Sequence, residues 1–293
     1  MAPTKHAATK KPSSKCACTD FDHFKSVDVD MKFNLESLEG TFIPELFKER
    51  TWTKLLNPIE VVYLEIIREF FSNAAIDGDR IECWVRHKEF VITREINQVF
   101  LEVRPPLKPI AVQYEDRLGS TDEMIRTLGG TPKKSSMNTI PFSPEMKALA
   151  YMMIHNLYPV TNLTTLSAPR TRFLYDLFTH KEIDICGHIF HVLKKSIEKQ
   201  NSRIVMPFPS LIMGLIAKTR FKFPSGLTVV QRDYPIGAHT VNRSTAHIKG
   251  SRIGVHMIPW DRVVDEGEDT EEEIDRFTFA IEPSAQPSSS APA

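Results

Sequence analysis

Through the middle of this chain, apolar residues recur three and four positions apart behind polar capping residues. That period suits a helix with one buried face and leaves little room for a β-rich alternative. Asn57 and Pro58 supply a cap and a first helical position, and Glu60 stands three residues after the cap. Ile59, Tyr63, Ile66, Ile67 and Phe70 then form one face, with Glu60, Glu65, Arg68 and Glu69 opposite and Asp77-Gly78 as the stop. Thr93 caps a helix expected to turn Ile96, Val99 and Phe100 inward before Pro105-Pro106. Ser120 opens a short helix through Leu128, closed by Gly129-Gly130.

The second half repeats the pattern. Ser143-Pro144 starts a helix with Met146, Leu149, Ala150, Met153 and Leu157 on one face, the methionines serving as core filler. Pro169 to Thr179 stacks Phe173, Leu174, Leu177 and Phe178, while Ile185 to Ile197 stacks Ile185, Ile189, Leu193 and Ile197. After Pro207 to Pro209, Ser210 is expected to cap a nearly all-apolar and therefore central helix. Strand alternation is confined to Ile81, Cys83 and Val85, able to pair with Phe90 to Ile92 across Arg86-His87-Lys88. The expected fold is mainly α-helical, a helical domain with a minor β-hairpin and disordered termini. Residues 1–30 read as a disordered basic tail and 31–130 as the first helical half. Residues 131–142 read as a linker, 143–260 as the second helical half with an irregular appendage, and 261–293 as an acidic, then Ser/Pro/Ala-rich disordered tail.

At 41% hydrophobic and 25% charged, the composition is that of an ordinary folded protein. The formal charge of zero conceals a division. From Asp261 onward there are ten acidic residues and two basic ones, so the first 260 residues carry a surplus of eight positive charges. Lys5, Lys10, Lys11 and Lys15 account for half of it. Cysteines at 16, 18, 83 and 186 do not form the pattern of a disulfide framework, and no apolar signal core precedes the domain. The longest strongly apolar run, Ile204 to Ala217, is broken by two prolines and too short to span a bilayer. An intracellular location is expected, nuclear or cytoplasmic, with no membrane anchor.

The order Arg172-Phe173-Leu174-Tyr175-Asp176-Leu177, Ile183-Asp184-Ile185 and Ile189, then Pro207-Phe208-Pro209-Ser210-Leu211-Ile212, resembles the putative plant transposon protein domain of retrotransposon-related plant proteins. Val61 to Phe71, the Val85 region and Ile96-Asn97 resemble its N-terminal half, giving a likeness over roughly residues 50 to 220. Gly187 stands near the family's glycine after the Ile-Asp pair, and Met213-Gly214 departs from the pattern. The resemblance implies a mobile-element origin and leaves structural, protein-binding and nucleic-acid roles open.

No catalytic, cofactor-binding or metal-binding residue is assigned. Cys186, His188 and His191 spread around a helix at offsets of two and five, and Cys16-x-Cys18 lacks zinc-knuckle spacing. The histidines are expected at the surface or its boundary. Asp176 and Asp184 offer paired carboxylates for a metal-dependent nuclease, although Asp184 also reads as a helix cap. Gly129-Gly130 before Lys133-Lys134 lacks the order of a phosphate loop. The leading expectation is a noncatalytic, mobile-element-derived structural or protein-interaction module with a protein partner and no cofactor. A nucleic-acid-binding alternative rests on a basic ridge of Arg170, Arg172, Lys194, Lys195 and Lys199. The oligomeric state is left open.

Overall fold

Where each helix begins is decided as much by distant pairing as by its own cap. The computed structural model describes residues 26–27, 30–59, 61–107, 114, 121–133, 136–159, 164–198, 205–230 and 235–244. In chain order these form β1 (Ser26–Val27), α1 (Ile43–Glu49), β2 (Val62–Tyr63), α2 (Leu64–Asn73), β3 (Ala75–Asp77), β4 (Arg80–Val85), β5 (Lys88–Ile92) and α3 (Arg94–Leu101). There follow α4 (Thr121–Thr127), β6 (Thr131–Lys133), β7 (Ser136–Asn138), α5 (Pro144–Met152), β8 (Thr165–Ser167), α6 (Ala168–Phe178), α7 (Ile185–Glu198), β9 (Val205–Met206), α8 (Pro209–Lys218), β10 (Val229–Val230) and α9 (Ala238–Ser244). The described fold is mainly α-helical, with small sheets at its margins.

The helix expected from Asn57 starts instead at Leu64. Val62 and Tyr63 pair antiparallel with Val230 and Val229, and Glu65 accepts from the Thr228 amide at 3.0 Å. The helix also stops at Asn73, because Ala75–Asp77 joins the hairpin as a third strand in the order β3-β4-β5. Ile66, Ile67 and Phe70 of α2 are fully buried, as are Ile81, Cys83 and Val85 of β4, so sheet and helix share one core. The β4–β5 turn places Arg86 and His87 at φ +46° and +65°, the primed geometry that a two-residue hairpin requires and that non-glycine residues resist. Glu69 on α2 compensates: it accepts from the Arg86 amide at 2.7 Å and pairs with the Arg86 guanidinium at 3.2 Å.

Other caps follow the local reading. Thr93 accepts from the Ile96 amide at 3.2 Å, and Ser143 accepts from the Met146 amide at 3.2 Å. Ser210 is a correction. The N-cap of α8 is Phe208, at φ +55°, and Ser210 lies inside the helix with its amide donating to Asp30 Oδ2 at 2.9 Å. A carboxylate far away in sequence therefore serves the helix N-terminus. Residues 131–142, expected as a linker, instead hold β6 and β7, which pair with β8 in a three-stranded sheet. The appendage after residue 221 contributes β10, which pairs with β2, and the helix α9. Residues 1–25, 28–29 and 261–293 of the expected tails lie outside the described residues, but Ser26–Val27, expected in the N-terminal tail, pairs in parallel with Val205–Met206, and Asp30 is buried against α8.

At the end of α5 the chain widens into a π-helical turn, Met153–Leu157, in which the Tyr158 amide donates to the Met153 carbonyl. The turn presents Asn156 to two other segments. Its amide oxygen accepts from Met31 N at 3.0 Å, and its nitrogen donates to Met31 O at 2.7 Å and Leu55 O at 2.6 Å. Asn156→Ala removes three buried hydrogen bonds and is expected to lower unfolding free energy by about 3 kcal/mol, measured by urea denaturation. An unchanged denaturation midpoint would refute that role.

His155 occupies the same turn, where burial holds its imidazole at about 4, below the ordinary 6.5. The unfolded chain therefore binds the extra proton first, and the contribution to stability is complete above pH 6.5 and lost as pH falls toward 4. Denaturation at pH 7.5 and pH 4.5 should show a loss of about 3 kcal/mol from this group. His155→Leu is expected to flatten that part of the profile; an unaltered slope would show that other groups cause it.

Candidate functional site

The cations of the expected basic ridge are attached to different neighbours. Arg170, in the first turn of α6, donates to Pro159 O at 3.0 Å and Ser167 Oγ at 3.3 Å, and its guanidinium lies 4.6 Å from the Tyr158 ring centroid. Arg172 donates to Tyr114 O at 3.4 Å. Lys194 reaches Gly78 O in the β3–β4 turn at 3.4 Å. Lys195 is half-buried on α7, and Lys199 lies outside the described residues. The arginines are thus anchored near residues 114 and 159, and Lys194 near residue 78.

The two carboxylates considered for metal chemistry hold the fold locally. Asp184 Oδ1 accepts from the Gly187 amide at 2.9 Å, which caps α7, and Oδ2 pairs with Arg94 at 2.9 Å. Asp176, also buried, pairs with Lys181 at 3.2 Å. His188 corrects the expectation of a surface or boundary residue. It is buried among Tyr158, Phe173 and Tyr114, with ring centroids 4.5, 4.7 and 5.6 Å away. Cys186 is buried beside it, its thiol pushed up to about 12 by desolvation and then by Asp184. Among the described residues, no group of three or more His, Cys, Asp or Glu side chains is placed to hold a metal ion.

A different feature emerges on α3. Its apolar residues Ile96 and Val99, expected inward, are 38% and 73% exposed, whereas Asn97 is 0% exposed. Neither polar atom of the Asn97 side chain has a hydrogen-bond partner among the described residues. The helix is set by other contacts: Arg94 is drawn to Asp184, Leu101 is buried, and Phe100 packs on α8. At Gly214 a Cβ would lie 2.4 Å from Phe100 Cζ, so this departure from the family pattern permits the close approach. Lys54 and Lys218 flank the same ring at 5.7 and 5.3 Å from its centroid. Beside the end of α3, an open cleft of about 320 Å³ is lined by Lys48, Thr51, Thr53, Lys54, Leu101 and Glu102, with Lys54 paired to Glu102 at 2.7 Å.

The family described as Putative plant retrotransposon-related domain matches residues 48–221, more than half of the chain, and the chain belongs to that family. The match runs from the end of α1 past α8 and includes α3. No curated protein and no solved structure matches the chain. No helix among the described residues is long and apolar enough to cross a membrane.

The buried amide of Asn97 gives a direct check on how α3 is seated. Asn97→Leu replaces two unpaired polar atoms with an apolar group of similar size and is expected to raise unfolding free energy by about 1–2 kcal/mol. A loss of stability in the same urea titration would mean that the amide is satisfied in solution.

Proposed function

We propose that this member of the plant retrotransposon-related family is a noncatalytic, intracellular interaction module that engages a protein partner through the exposed apolar edge of α3. The carrying observation is the inversion on that helix, with Val99 in solvent and Asn97 in the core. Ile96 and Val99 keep part of their apolar surface in water, and docking would recover a fraction of the roughly 1.5–3 kcal/mol that full burial of each is worth. The neighbouring cleft and the Lys54–Glu102 pair supply a polar margin for such a contact.

The nucleic-acid alternative through Arg170, Arg172, Lys194, Lys195 and Lys199 ranks second. Arg170, Arg172 and Lys194 already donate to backbone carbonyls, and releasing them to phosphates would leave those carbonyls to be satisfied again. The nuclease alternative ranks third, since Asp176 and Asp184 would have to exchange their ion pairs for metal.

The test compares the full chain with its Ile96→Asp/Val99→Asp variant in affinity capture from plant extract, alongside a salt-dependent nucleic-acid titration. The variant should melt as the parent does, because both side chains are exposed, and should lose a specific protein partner by about tenfold or more in affinity. Equal capture by the two chains would refute the α3 interface. Tight nucleic-acid binding with no protein partner would reverse the order of the readings, and metal-dependent cleavage abolished by Asp176→Ala or Asp184→Ala in a folded chain would establish the nuclease.

A further inference from the structure

The outer face of the β3-β4-β5 sheet combines an exposed aromatic ring with carboxylates that have no ion-pair partner among the described residues. Because side chains alternate along a strand, burying Ile81, Cys83 and Val85 against α2 turns Glu82 and Trp84 to the opposite side. Trp84 is 43% exposed. The strand register sets Glu89 directly across from Trp84 and Val91 across from Glu82. Directly opposed Cβ atoms are about 4.5–5.5 Å apart, so Glu89 lies beside the indole across the strand pair, while Glu82 stands two residues before it on the same side of β4. Neither glutamate has an ion-pair partner among the described residues, and no cation lies over the Trp84 ring there.

The nearby cations are directed elsewhere. Arg86 is held by Glu69 on α2, and Lys88 lies over Phe221, 5.4 Å from the ring centroid. Arg80 is across from Asp77 at the far end of the sheet. Arg80 shares the outward side of β4 with Glu82 and Trp84 but stands opposite Asp77, so beside the indole this face presents the two carboxylates, with no cation paired to either among the described residues. Phosphate would be repelled there, whereas a guanidinium can lie flat on an indole while donating to carboxylates at its edge.

We infer that this sheet face docks an arginine-rich protein segment, with Trp84 as the stacking anchor and Glu82 and Glu89 as charge partners. The inference rests on the interaction-module reading and names the partner's chemistry, but it uses a surface separate from the edge of α3. A lysine-rich segment of equal charge would bind more weakly, because an ammonium cannot stack and fork in the same way.

The full chain is titrated into a fluorescein-labelled arginine–serine peptide, with a lysine–serine peptide of equal length as comparison, and binding is read by fluorescence anisotropy. Trp84→Ala is expected to weaken binding about tenfold, with Trp84→Phe restoring most of it. Glu82→Gln/Glu89→Gln should weaken it by about tenfold and flatten its salt dependence. Melting curves check that each variant is folded. The Ile96→Asp/Val99→Asp chain should bind the peptide as the parent does, so failure of the α3 interface and failure of this site give different results. Unchanged binding by Trp84→Ala would overturn the proposal, as would binding that disappears only when the acidic residues 265–275 are neutralised. Equal affinity for the two peptides would overturn the stacking role of Trp84.

Discussion

Asn156 is the point at which sequence-distant segments of this fold are joined. A primary amide offers donors and acceptors on one small plane, and here that plane satisfies both backbone groups of Met31 together with the Leu55 carbonyl. The π-helical turn aims the side chain out of the regular ladder of α5. The surrounding residues then close around the incoming strand-like segment. Asp30 serves the N-terminus of α8, Phe33 N donates to Leu56 O, and Lys32 O and Asn34 N bond to Ile236. Residues 30–34 consequently form a seam between α8, the π-helical turn and the approach to α9. Each connection lies inside or beside apolar packing, where an unpaired backbone group costs more than the same group in water.

Features set by nearby residues were legible in the sequence. Thr93, Ser143 and Asp184 cap their helices because a short polar side chain reaches an amide two or three residues on, irrespective of the rest of the fold. Features that depend on distant partners were not. Asn57-Pro58 has the chemistry of a helix start, but pairing of Val62–Tyr63 with Val229–Val230 moves that start to Leu64. Residues 131–142 contain the proline and polar content of a linker. Strands of three residues, with Met137 as their buried contact, offer too little alternation to be recognised. His188 shows the same limit: its type and spacing suggested a boundary residue, and only the assembly of Tyr114, Tyr158 and Phe173 encloses it.

The candidate surfaces divide along that line. Trp84 could be placed on the polar side of its strand from the alternation of Ile81, Cys83 and Val85, a local property that the fold retains. Ile96 and Val99 could not be placed, because the apolar period of α3 points one way and its tertiary ties another. Arg94 bonded to Asp184 and Phe100 seated on Gly214 together outweigh the gain from burying two aliphatic side chains. The basic residues of α6 and α7 illustrate the complementary case: sequence supplies their charge, while Pro159, Tyr114 and Gly78 determine where three of those charges are directed.

The sheet face and the α3 edge are also mechanically connected. β5 ends at Ile92 and α3 begins at Arg94, leaving Thr93 as the sole residue between them. Its extended backbone makes the corner, and its hydroxyl caps the helix that follows. With Ile92 buried on one side of the corner and Asn97 and Leu101 buried on the other, neither element can turn freely about the junction. A shift of α3 that brought Ile96 and Val99 inward would have to break the Arg94–Asp184 pair, which also belongs to the cap of α7. The exposed apolar edge is thus coupled to two helix starts and a strand end, so its orientation is a property of the folded core as a whole.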